Sequence, residues 1–340
     1  MKEFKAFRLH STNNKVIGRI ENLNINDLSQ GEVLIKTAYS SVNYKDALAA
    51  TGTGNIVRKF PLVAGINVSG YVVSSSDKRF KEGDAVLVTG YEFGVGHDGG
   101  YSEYSRVPSD WVVPLPDNMS LFEAMAIGTA GFTVALCVQR LEENNQKPDL
   151  GEFAVTGATG GVGSFAIDIM SKLGYEVVAI TGKSNSHQLL TALGAKHILD
   201  RNTIRSEGPP LDKSLWGGAI DNVGGDLLAW LTRTTKQGGN IASVGLAGGS
   251  HFNTTVMPFI LRGVSVLGIN APACTMSTRK KIWSRLVNDL APKHLDKIVS
   301  NIVQLEDLPS VFKNMLAGKT IGRTVVSINP ENKNDLVYKK

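Results

Sequence analysis

The sequence predicts an α/β protein of two domains, one β-rich and one built on a doubly wound parallel sheet. Short strands separated by Gly, Asp, Ser and Pro turns fill residues 1 to about 120. From Gly151 onward, apolar strands alternate with helices, which is typical of a parallel sheet covered on both faces. A glycine-rich turn joins the first of these strands to its helix. The 340 residues suffice for two domains.

The composition is that of an ordinary globular protein, with 42% hydrophobic and 20% charged residues. The net charge is 36 − 31 = +5, and the only dense basic run before the C-terminal tail is Arg279-Lys280-Lys281. This is too little for a nucleic-acid footprint, although it suits an anionic substrate.

The two cysteines, Cys137 and Cys274, have no CxxC partner, so neither a disulfide framework nor a cysteine-rich zinc site is available. The N-terminus, MKEFKAFRLH, lacks the apolar core of a signal peptide. No apolar run approaches the ~18 residues of a short membrane span. We therefore expect a cytoplasmic protein.

In the first domain, the alternation of apolar and polar residues predicts strands at 4–9, 32–37, 68–74, 85–88, 104–107 and 111–113. Strands at this spacing indicate a small barrel or sandwich. A helix is predicted over 120–141, because Ser120 and Glu123 have the spacing of a capping box.

In the second domain, strands are predicted at 153–155, 176–180, 197–199, 219–221, 240–244 and 264–269. Helices are predicted at 163–173, 186–193 and 276–290. The mixed pattern over 298–328 indicates that the chain returns to the first domain. The polar segment 331–340 is predicted to fray.

The glycine-rich turn lies in the segment 153–163, FAVTGATGGVG. Read as G-x-G-x-x-G, its first glycine is replaced by Ala158. A helix N-terminus has unpaired N–H groups and partial positive charge, which favour a pyrophosphate. The predicted cofactor-binding residues here are Thr159, Gly160, Gly161, Val162 and Gly163. By itself, the pattern also fits a glycine-rich turn without a ligand.

The end of the second strand predicts which dinucleotide is bound. NAD-preferring sites have an acidic residue near this end, which bonds the ribose 2′-OH. Here the chain has Gly182, Lys183 and Ser184 instead. The 2′-phosphate of NADPH would have space at Gly182, positive charge from Lys183 and a hydroxyl from Ser184, so NADPH is predicted. A loop lysine that only faces solvent also fits this stretch. Glycines after strands four and five, in 221–225 and 244–249, suit a cofactor lying across them or plain tight turns.

Several motifs together resemble the medium-chain dehydrogenase/reductase superfamily over nearly the whole chain. They are SVNYKD at 41–46, GINVSG at 65–70, KEGD at 81–84, GTAGFT at 128–133, ATGGVG at 158–163, TGKS at 181–184, DNVGG at 221–225 and GR at 322–323. The likeness is strongest to the zinc-free quinone-oxidoreductase branch, and within it to the NADPH-dependent acrylyl-CoA reductase group.

This resemblance implies a GroES-like β-barrel catalytic domain formed by residues 1–122 and 295–334. It also implies a Rossmann domain over 123–294 that binds NADPH. The active site is then expected in the cleft between the domains, and the protein is expected to be a homodimer.

One departure from the superfamily concerns metal. Its zinc-dependent alcohol dehydrogenases have a cysteine where this chain has Asn43 and a His-Glu pair where it has Ile66-Asn67. They also have a cysteine-rich lobe near 90–104, where this chain has no cysteine. Zinc needs thiolate, imidazole or carboxylate ligands, so no metal is predicted, and His97 is interpreted as a loop histidine.

Without a Lewis acid, alcohol oxidation loses its usual means of stabilising an alkoxide. Hydride addition to an activated C=C bond needs only oriented hydrogen-bond donors and a proton source. We therefore predict reduction of an activated C=C bond. The resemblance to the acrylyl-CoA reductase group implies an α,β-unsaturated acyl-CoA as substrate, specifically acrylyl-CoA, which gives propionyl-CoA. A quinone or enone reductase of broad specificity is the first alternative. A low-turnover NADPH-binding sensor or nucleic-acid-binding protein is the second.

By resemblance, Tyr44 contacts the nicotinamide end of the cofactor and Asn43 replaces the metal ligand, and both are candidate catalytic residues. Proton donation by Tyr44 is a hypothesis, since a satisfied core tyrosine also fits. Asp46 is expected to orient its own loop. Further cofactor contacts are predicted at Thr129, Arg201, Gly245, Leu246, Asn270 and Arg323, the last reaching the cofactor or anchoring the returning chain. Arg279 and Lys280 are predicted to attract the phosphates of a CoA substrate, with a solvated helical face as the alternative.

Overall fold

The computed structural model describes residues 3–13, 15–205 and 207–330. The chain divides into two compact units. The first comprises Met1–Thr129, Pro272–Val287 and Val299–Lys340, and the second Ala130–Ala271 and Asn288–Ile298. The predicted domain limits stay a prediction. They differ from this division mainly at Pro272–Val287, which joins the first unit because Arg279 bonds the end of a barrel strand at Thr89. The predicted fraying at 331–340 lies outside the described residues, as does the predicted domain end at 334.

The strands are β1 Phe4–Thr12, β2 Lys15–Leu23, β3 Val33–Val42, β4 Leu62–Val63, β5 Asn67–Ser75, β6 Ala85–Thr89, β7 Tyr104–Val107, β8 Val113–Pro114, β9 Phe153–Thr156, β10 Val177–Thr181, β11 His197–Asp200, β12 Trp216–Asp221, β13 Thr235–Ser243, β14 Ser265–Gly268, β15 Val299–Val303 and β16 Arg323–Ser327. The helices are α1 Tyr44–Thr51, α2 Leu121–Glu143, α3 Gly161–Lys172, α4 His187–Ala192, α5 Gly225–Thr234, α6 Met257–Arg262, α7 Met276–Leu286, α8 Leu295–Ile298 and α9 Leu308–Leu316.

The first unit contains two sheets. One has the order β2-β1-β4, and the other has the order β15-β16-β3-β5-β6-β8, with β7 paired to β3. Strand β3 extends to Val42, beyond the predicted end, because its last six side chains are all buried. Strands β2 and β4 and helix α1 are not among the elements predicted from the sequence. Trp111, which is predicted to begin a strand, instead ends a short 3₁₀ turn.

The second unit contains six parallel strands in the order β11-β10-β9-β12-β13-β14. The direction of chain progression reverses between β9 and β12, which is the switch point of a doubly wound sheet. Its core is apolar on both faces and includes Ala154, Val178, Ala219 and Ile241. The predicted α/β fold class is therefore confirmed, and all six predicted strands are present, although β13 begins five residues early.

Helix α2 is more apolar than the sequence analysis anticipated. Among the described residues, it is the one helix with the length and composition of a membrane span. However, 89% of its most apolar window is buried inside the protein, so packing accounts for the composition. The helix is kinked at Gly128, whose φ of 48° and ψ of −152° are not helical.

Candidate cofactor and active site

The glycine-rich turn links the end of β9 to the start of α3. Gly160 is the N-cap, and its N–H donates to the Gly157 carbonyl at 3.0 Å. The first N–H groups of α3 have no partner within the helix and carry its positive dipole. A Cβ on Gly163 would lie 2.3 Å from the Gly157 oxygen, whereas a Cβ on Gly160 would lie 3.4 Å from it. Gly163 therefore permits the close approach of helix and turn, and Gly160 leaves the cradle open.

A buried carboxylate fixes the neighbouring strand end. Asp221 accepts the Thr156 hydroxyl at 2.6 Å and the Gly224 N–H at 2.8 Å. Burial raises the pKa of Asp221, against these hydrogen bonds. The ends of β9 and β12 are thus joined by side chains. In the sequence, Asp221 is part of the DNVGG motif, but no role is predicted for it; its signal is a lone acid at the end of an apolar strand.

The loop after β12 is also joined to the loop after β13. The Gly248 N–H donates to the Val223 carbonyl at 2.7 Å. A Cβ on Gly245 would lie 2.3 Å from the Asn222 oxygen, so this glycine is required by the contact between the loops. Leu246 follows with its side chain 61% exposed. Exposed Asn270 stands beyond β14, next to Ile269, whose N–H bonds the Ser243 carbonyl at 3.1 Å.

Two cations lie at the ends of β10 and β11. A Cβ on Gly182 would lie 2.8 Å from Nε of Arg201, so the guanidinium covers this glycine. The pKa of Lys183 is lowered, first by burial and then by the positive charge of Arg201. Like charges held this close favour an anion between them. Residues 181–199 contain no Asp or Glu, and Ser184 is exposed beside the pair.

Because all six strands are parallel, their carboxyl ends meet at one edge of the sheet. This edge holds the predicted cofactor residues Thr159, Gly160, Gly161, Val162, Gly163, Gly182, Lys183, Ser184, Arg201, Gly245, Leu246 and Asn270. A cavity of about 210 Å³, lined by Arg201, Val223 and Gly224, opens there. The arrangement fits a dinucleotide with an extra phosphate. Tyr44, Asn43, Thr129 and Arg323 belong to the other unit.

In the first unit, Tyr44 is the first residue of α1, and its side chain is 43% exposed. Its hydroxyl has no hydrogen bond to any described residue. Asn43 precedes it as the N-cap, and its N–H donates to the Asp46 carboxylate at 2.8 Å. The Asn43 side-chain amide also donates to Asp46, at 3.1 Å.

Asp46 is buried and joins two loops. Its carboxylate accepts the Ile66 N–H at 3.0 Å, in addition to the hydrogen bonds from Asn43. Burial raises the pKa of Asp46 to about 6, against the hydrogen bonds that lower it. Asp46 thereby orients the start of α1, on which Tyr44 stands. Sequence reasoning did not anticipate the link to Ile66.

Arg323 is predicted from the sequence either to reach the cofactor or to anchor the returning chain, and its contacts support the second alternative. Its guanidinium is buried and donates to the carbonyls of Val42 and Ala126 at 2.8 and 3.1 Å. It also donates to the side chains of Asn43 and Ser41 at 3.2 and 2.9 Å. Burial lowers the pKa of Arg323 to about 10. The side chain therefore anchors the returning chain rather than facing a cofactor.

The positions that hold zinc ligands in the metal enzymes are here joined by amides. The Ser41 hydroxyl accepts from Arg323, so it is free to donate to the Asn67 amide oxygen at 2.7 Å. With the Asn67 amide in this orientation, its oxygen also accepts from the Asn43 amide at 3.0 Å. Its nitrogen donates to the Thr129 hydroxyl at 2.6 Å. Thr129 is thus engaged within this network.

The basic run at the start of α7 requires a correction. Arg279 is fully buried and donates to the Thr89 carbonyl at 2.7 Å. Its guanidinium carbon also lies 4.4 Å from the centre of the Tyr91 ring. Arg279 is therefore neither a surface charge nor available to a substrate phosphate, since its donors hold the end of β6. Lys280 is exposed and lines a cavity.

One group in the described part of the chain has metal-ligand spacing. Carboxylate and imidazole atoms of Glu152, Glu176 and His197 lie within 4.8 Å of one another. They stand at the amino ends of β9, β10 and β11, the edge opposite the cofactor residues, and Lys196 contacts Glu176 at 2.5 Å. The lysine supplies the positive charge there, and the absence of a catalytic metal stays a prediction.

Comparisons with known proteins identify the family. Residues 29–117 match the alcohol dehydrogenase GroES-like domain, and residues 161–288 match the zinc-binding dehydrogenase family. The chain is 47% identical to YhfP of Bacillus subtilis (strain 168), provisionally named a quinone oxidoreductase, over 96% of this chain and 99% of that protein. It is 43% identical to the acrylyl-CoA reductase AcuI of Ruegeria pomeroyi, over 93% and 96% of the two chains.

Solved structures of related oxidoreductases have closely similar folds. The Salmonella enterica YhdH oxidoreductase in complex with NADP has a TM-score of 0.92 and 43% identity, covering 95% of this chain and 99% of that one. YhfP with NAD bound has a TM-score of 0.93 and 47% identity, covering 96% and 100%. The chain belongs to the medium-chain dehydrogenase/reductase superfamily, in the acrylyl-CoA reductase group.

Proposed function

We propose that this protein is an NADPH-dependent reductase of activated C=C bonds, with acrylyl-CoA as its leading substrate. The observation that carries the cofactor choice is the pairing of Lys183 with Arg201 over Gly182, at a strand end without a carboxylate. The substrate choice rests on the 43% identity to an acrylyl-CoA reductase along 93% of the chain.

When bound, NADPH supplies a hydride to the β-carbon of acrylyl-CoA, and one proton from the site or solvent completes propionyl-CoA. The N–H groups of Gly161 and Val162 at the N-terminus of α3 would hold the pyrophosphate. Lys183 and Arg201 would hold the 2′-phosphate by charge-assisted hydrogen bonds. Gly245, Leu246 and Asn270 would contact the ribose and nicotinamide end.

Tyr44 is proposed to act at the reacting end, because its hydroxyl is held on a fixed helix and is free to bond substrate or cofactor. Asn43 and Thr129 position it through the amide network with Asn67. Negative charge develops on the thioester oxygen during hydride addition, and a donor such as the Tyr44 hydroxyl stabilises it. Tyr44→Phe removes only that hydroxyl. We expect kcat to fall about 10- to 100-fold with unchanged NADPH affinity. Full turnover would exclude this role.

A quinone or enone reductase is the second candidate, favoured by the name of YhfP and its 47% identity. The two are separated by steady-state kinetics of NADPH oxidation with acrylyl-CoA, crotonyl-CoA, a simple enone and a quinone. The proposal expects kcat/KM for acrylyl-CoA to exceed that for the quinone at least about tenfold. A higher value for the quinone would reverse the ranking, and no oxidation with any of the four would exclude both.

A homodimer in the cytoplasm is proposed as the assembled form. Strand β14 pairs with β13 alone among the described strands and leaves an open edge. Next to it in sequence, Val256, Ile260 and Leu261 are 58–71% exposed, an apolar patch that a second copy would cover. Light scattering should give twice the chain mass of 36.5 kDa, and Ile260→Asp should shift it to the monomer. A monomeric parent protein would contradict the proposal.

A further inference from the structure

The first unit contains a second cavity, of about 690 Å³, which is within the range of small-molecule sites. One wall comes from the chain after β6 and before β8, and includes Tyr91 and Trp111. The other comes from the start of α7 and the residues before it, and includes Cys274, Met276 and Lys280. None of the residues predicted for the dinucleotide lines it.

The aromatic wall is held rigidly. The rings of Tyr91 and Trp111 are parallel within 4°, with centres 5.3 Å apart. Buried Arg279 covers Tyr91 at 4.4 Å and donates to its hydroxyl at 3.2 Å. The Tyr91 N–H donates to the Pro272 carbonyl at 3.1 Å, at a φ of 55° that non-glycine residues rarely adopt. A wall ordered in advance costs little entropy when a ligand binds.

The residues that line this cavity are partly apolar and partly charged. Phe80, Val112 and Met276 are apolar. Arg79 contacts two carboxylates, Asp77 and Asp110, each at 2.7 Å, so this group has a net charge of −1 and disfavours a phosphate beside it. Lys280 forms no ion pair with any described residue and is exposed. The cavity therefore suits an extended, partly apolar molecule that carries a phosphate near Lys280.

This cavity is linked to the helix that presents Tyr44. The Gly90 N–H, beside Tyr91, donates to the Ile66 carbonyl at 3.2 Å. The Ile66 N–H in turn donates to Asp46, two residues beyond Tyr44. Two hydrogen bonds through one residue therefore join the cavity wall to the proposed reacting end.

We propose that this cavity binds the phosphorylated pantetheine arm of a coenzyme A thioester, with Lys280 against a phosphate and the apolar wall along the pantetheine chain. The inference rests on the proposed function and adds the part of the chain that selects a CoA ester over a small enone. Arg279 is a positioning residue that builds the wall, whereas Lys280 contacts the ligand.

Cys274 allows a binding test that does not depend on turnover. The chain has two cysteines, and Cys137 is fully buried, so Cys274 is the accessible thiol. Its alkylation by iodoacetamide is followed by mass spectrometry at alkaline pH, because burial raises the pKa of Cys274. Saturating propionyl-CoA should slow alkylation about tenfold, as for ~90% occupancy. The propionyl thioester of N-acetylcysteamine, which lacks the phosphates and most of the arm, should not. Equal rates with and without propionyl-CoA would overturn the proposal.

Kinetics provide the second test. Lys280→Gln should raise KM for acrylyl-CoA about three- to tenfold, and leave KM for the acrylyl thioester of N-acetylcysteamine and for NADPH unchanged. Lys281→Gln is the matched control, because its side chain is exposed next in sequence and does not line the cavity. Similar effects of the two substitutions, or an equal effect of Lys280→Gln on both thioesters, would refute the assignment.

The outcomes also separate the inference from the proposed function. Protection of Cys274 by propionyl-CoA without reduction of acrylyl-CoA would support the cavity and exclude the reaction. Turnover of acrylyl-CoA with no protection and no effect of Lys280→Gln would exclude the cavity and leave the reaction intact.

Discussion

The guanidinium of Arg323, at the start of β16, donates to the side-chain oxygen of Asn43 at 3.2 Å, which ties the returning chain to the N-cap of α1. The same guanidinium satisfies the buried carbonyls of Val42 and Ala126. One side chain thus holds three segments that are far apart in sequence. Loss of its donors would leave these acceptors buried and unpaired.

Arg323→Met should therefore lower stability far more than it lowers cofactor affinity. We expect unfolding to become easier by about 3 kcal/mol, since a buried charged donor is lost. The Kd of NADPH for the folded variant should change less than about threefold. Thermal unfolding and fluorescence titration measure the two effects. A strongly weakened Kd at unchanged stability would mean that Arg323 contacts the cofactor after all.

Lys183→Gln should weaken the binding of NADPH but not the binding of NADH. Removing one of two cations at the 2′-phosphate is expected to raise the Kd of NADPH about tenfold and to leave that of NADH unchanged. Lys213→Gln, at an exposed site of the same unit, is the control. The prediction fails if the substitution raises the Kd of NADPH and the Kd of NADH by the same factor.

Substitutions of Gly163 and Gly160 in the glycine-rich turn should have different effects, the first on protein stability and the second on NADPH binding. A Cβ at Gly163 would meet backbone at 2.3 Å, so Gly163→Ala should destabilise the protein by about 1–3 kcal/mol and displace α3. Gly160→Ala meets its nearest atom at 3.4 Å. It should therefore keep the unfolding midpoint of the parent and weaken NADPH binding by crowding the pyrophosphate. Equal unfolding midpoints for both variants would contradict the packing argument.

Asp46 should produce a pH-dependent difference in stability. Its pKa is raised by burial from 3.8 to about 6, so between these values the folded state binds more protons than the unfolded state. The contribution of Asp46 is therefore complete below pH ~4 and is lost as pH rises through ~6, by about 3 kcal/mol. Asp46→Asn lacks this titration. The stability of the parent relative to Asp46→Asn should fall from pH 4.5 to 7.5 in urea denaturation, and a constant difference would show that Asp46 does not titrate there.

Several elements were predictable from local sequence because their causes are local. The alternation of apolar strands and helices after Gly151 predicted the parallel sheet, whose strands need apolar residues on both faces. The glycines at 160, 161 and 163 predicted the turn, and close backbone approach requires the one at 163, where a Cβ would lie 2.3 Å from the Gly157 oxygen. Strand β2 and helix α1 were missed, since their patterns are weaker and they are stabilised by packing against β1 and α9.

What the sequence determined by itself was the chemistry available: a dinucleotide turn, a strand end with a lysine and no carboxylate, and no cysteine or histidine where zinc would bind. The tertiary structure alone decided how the charged side chains are used. From the sequence, Arg279 is predicted to attract substrate phosphates and Arg323 to reach the cofactor or anchor the returning chain. Both are buried, because long-range contacts to Thr89 and to residues 41–43 supply their acceptors. Lys280, next to Arg279, remains exposed. A one-residue step along a helix turns a side chain by about 100°, so only the packing of α7 could separate the two roles.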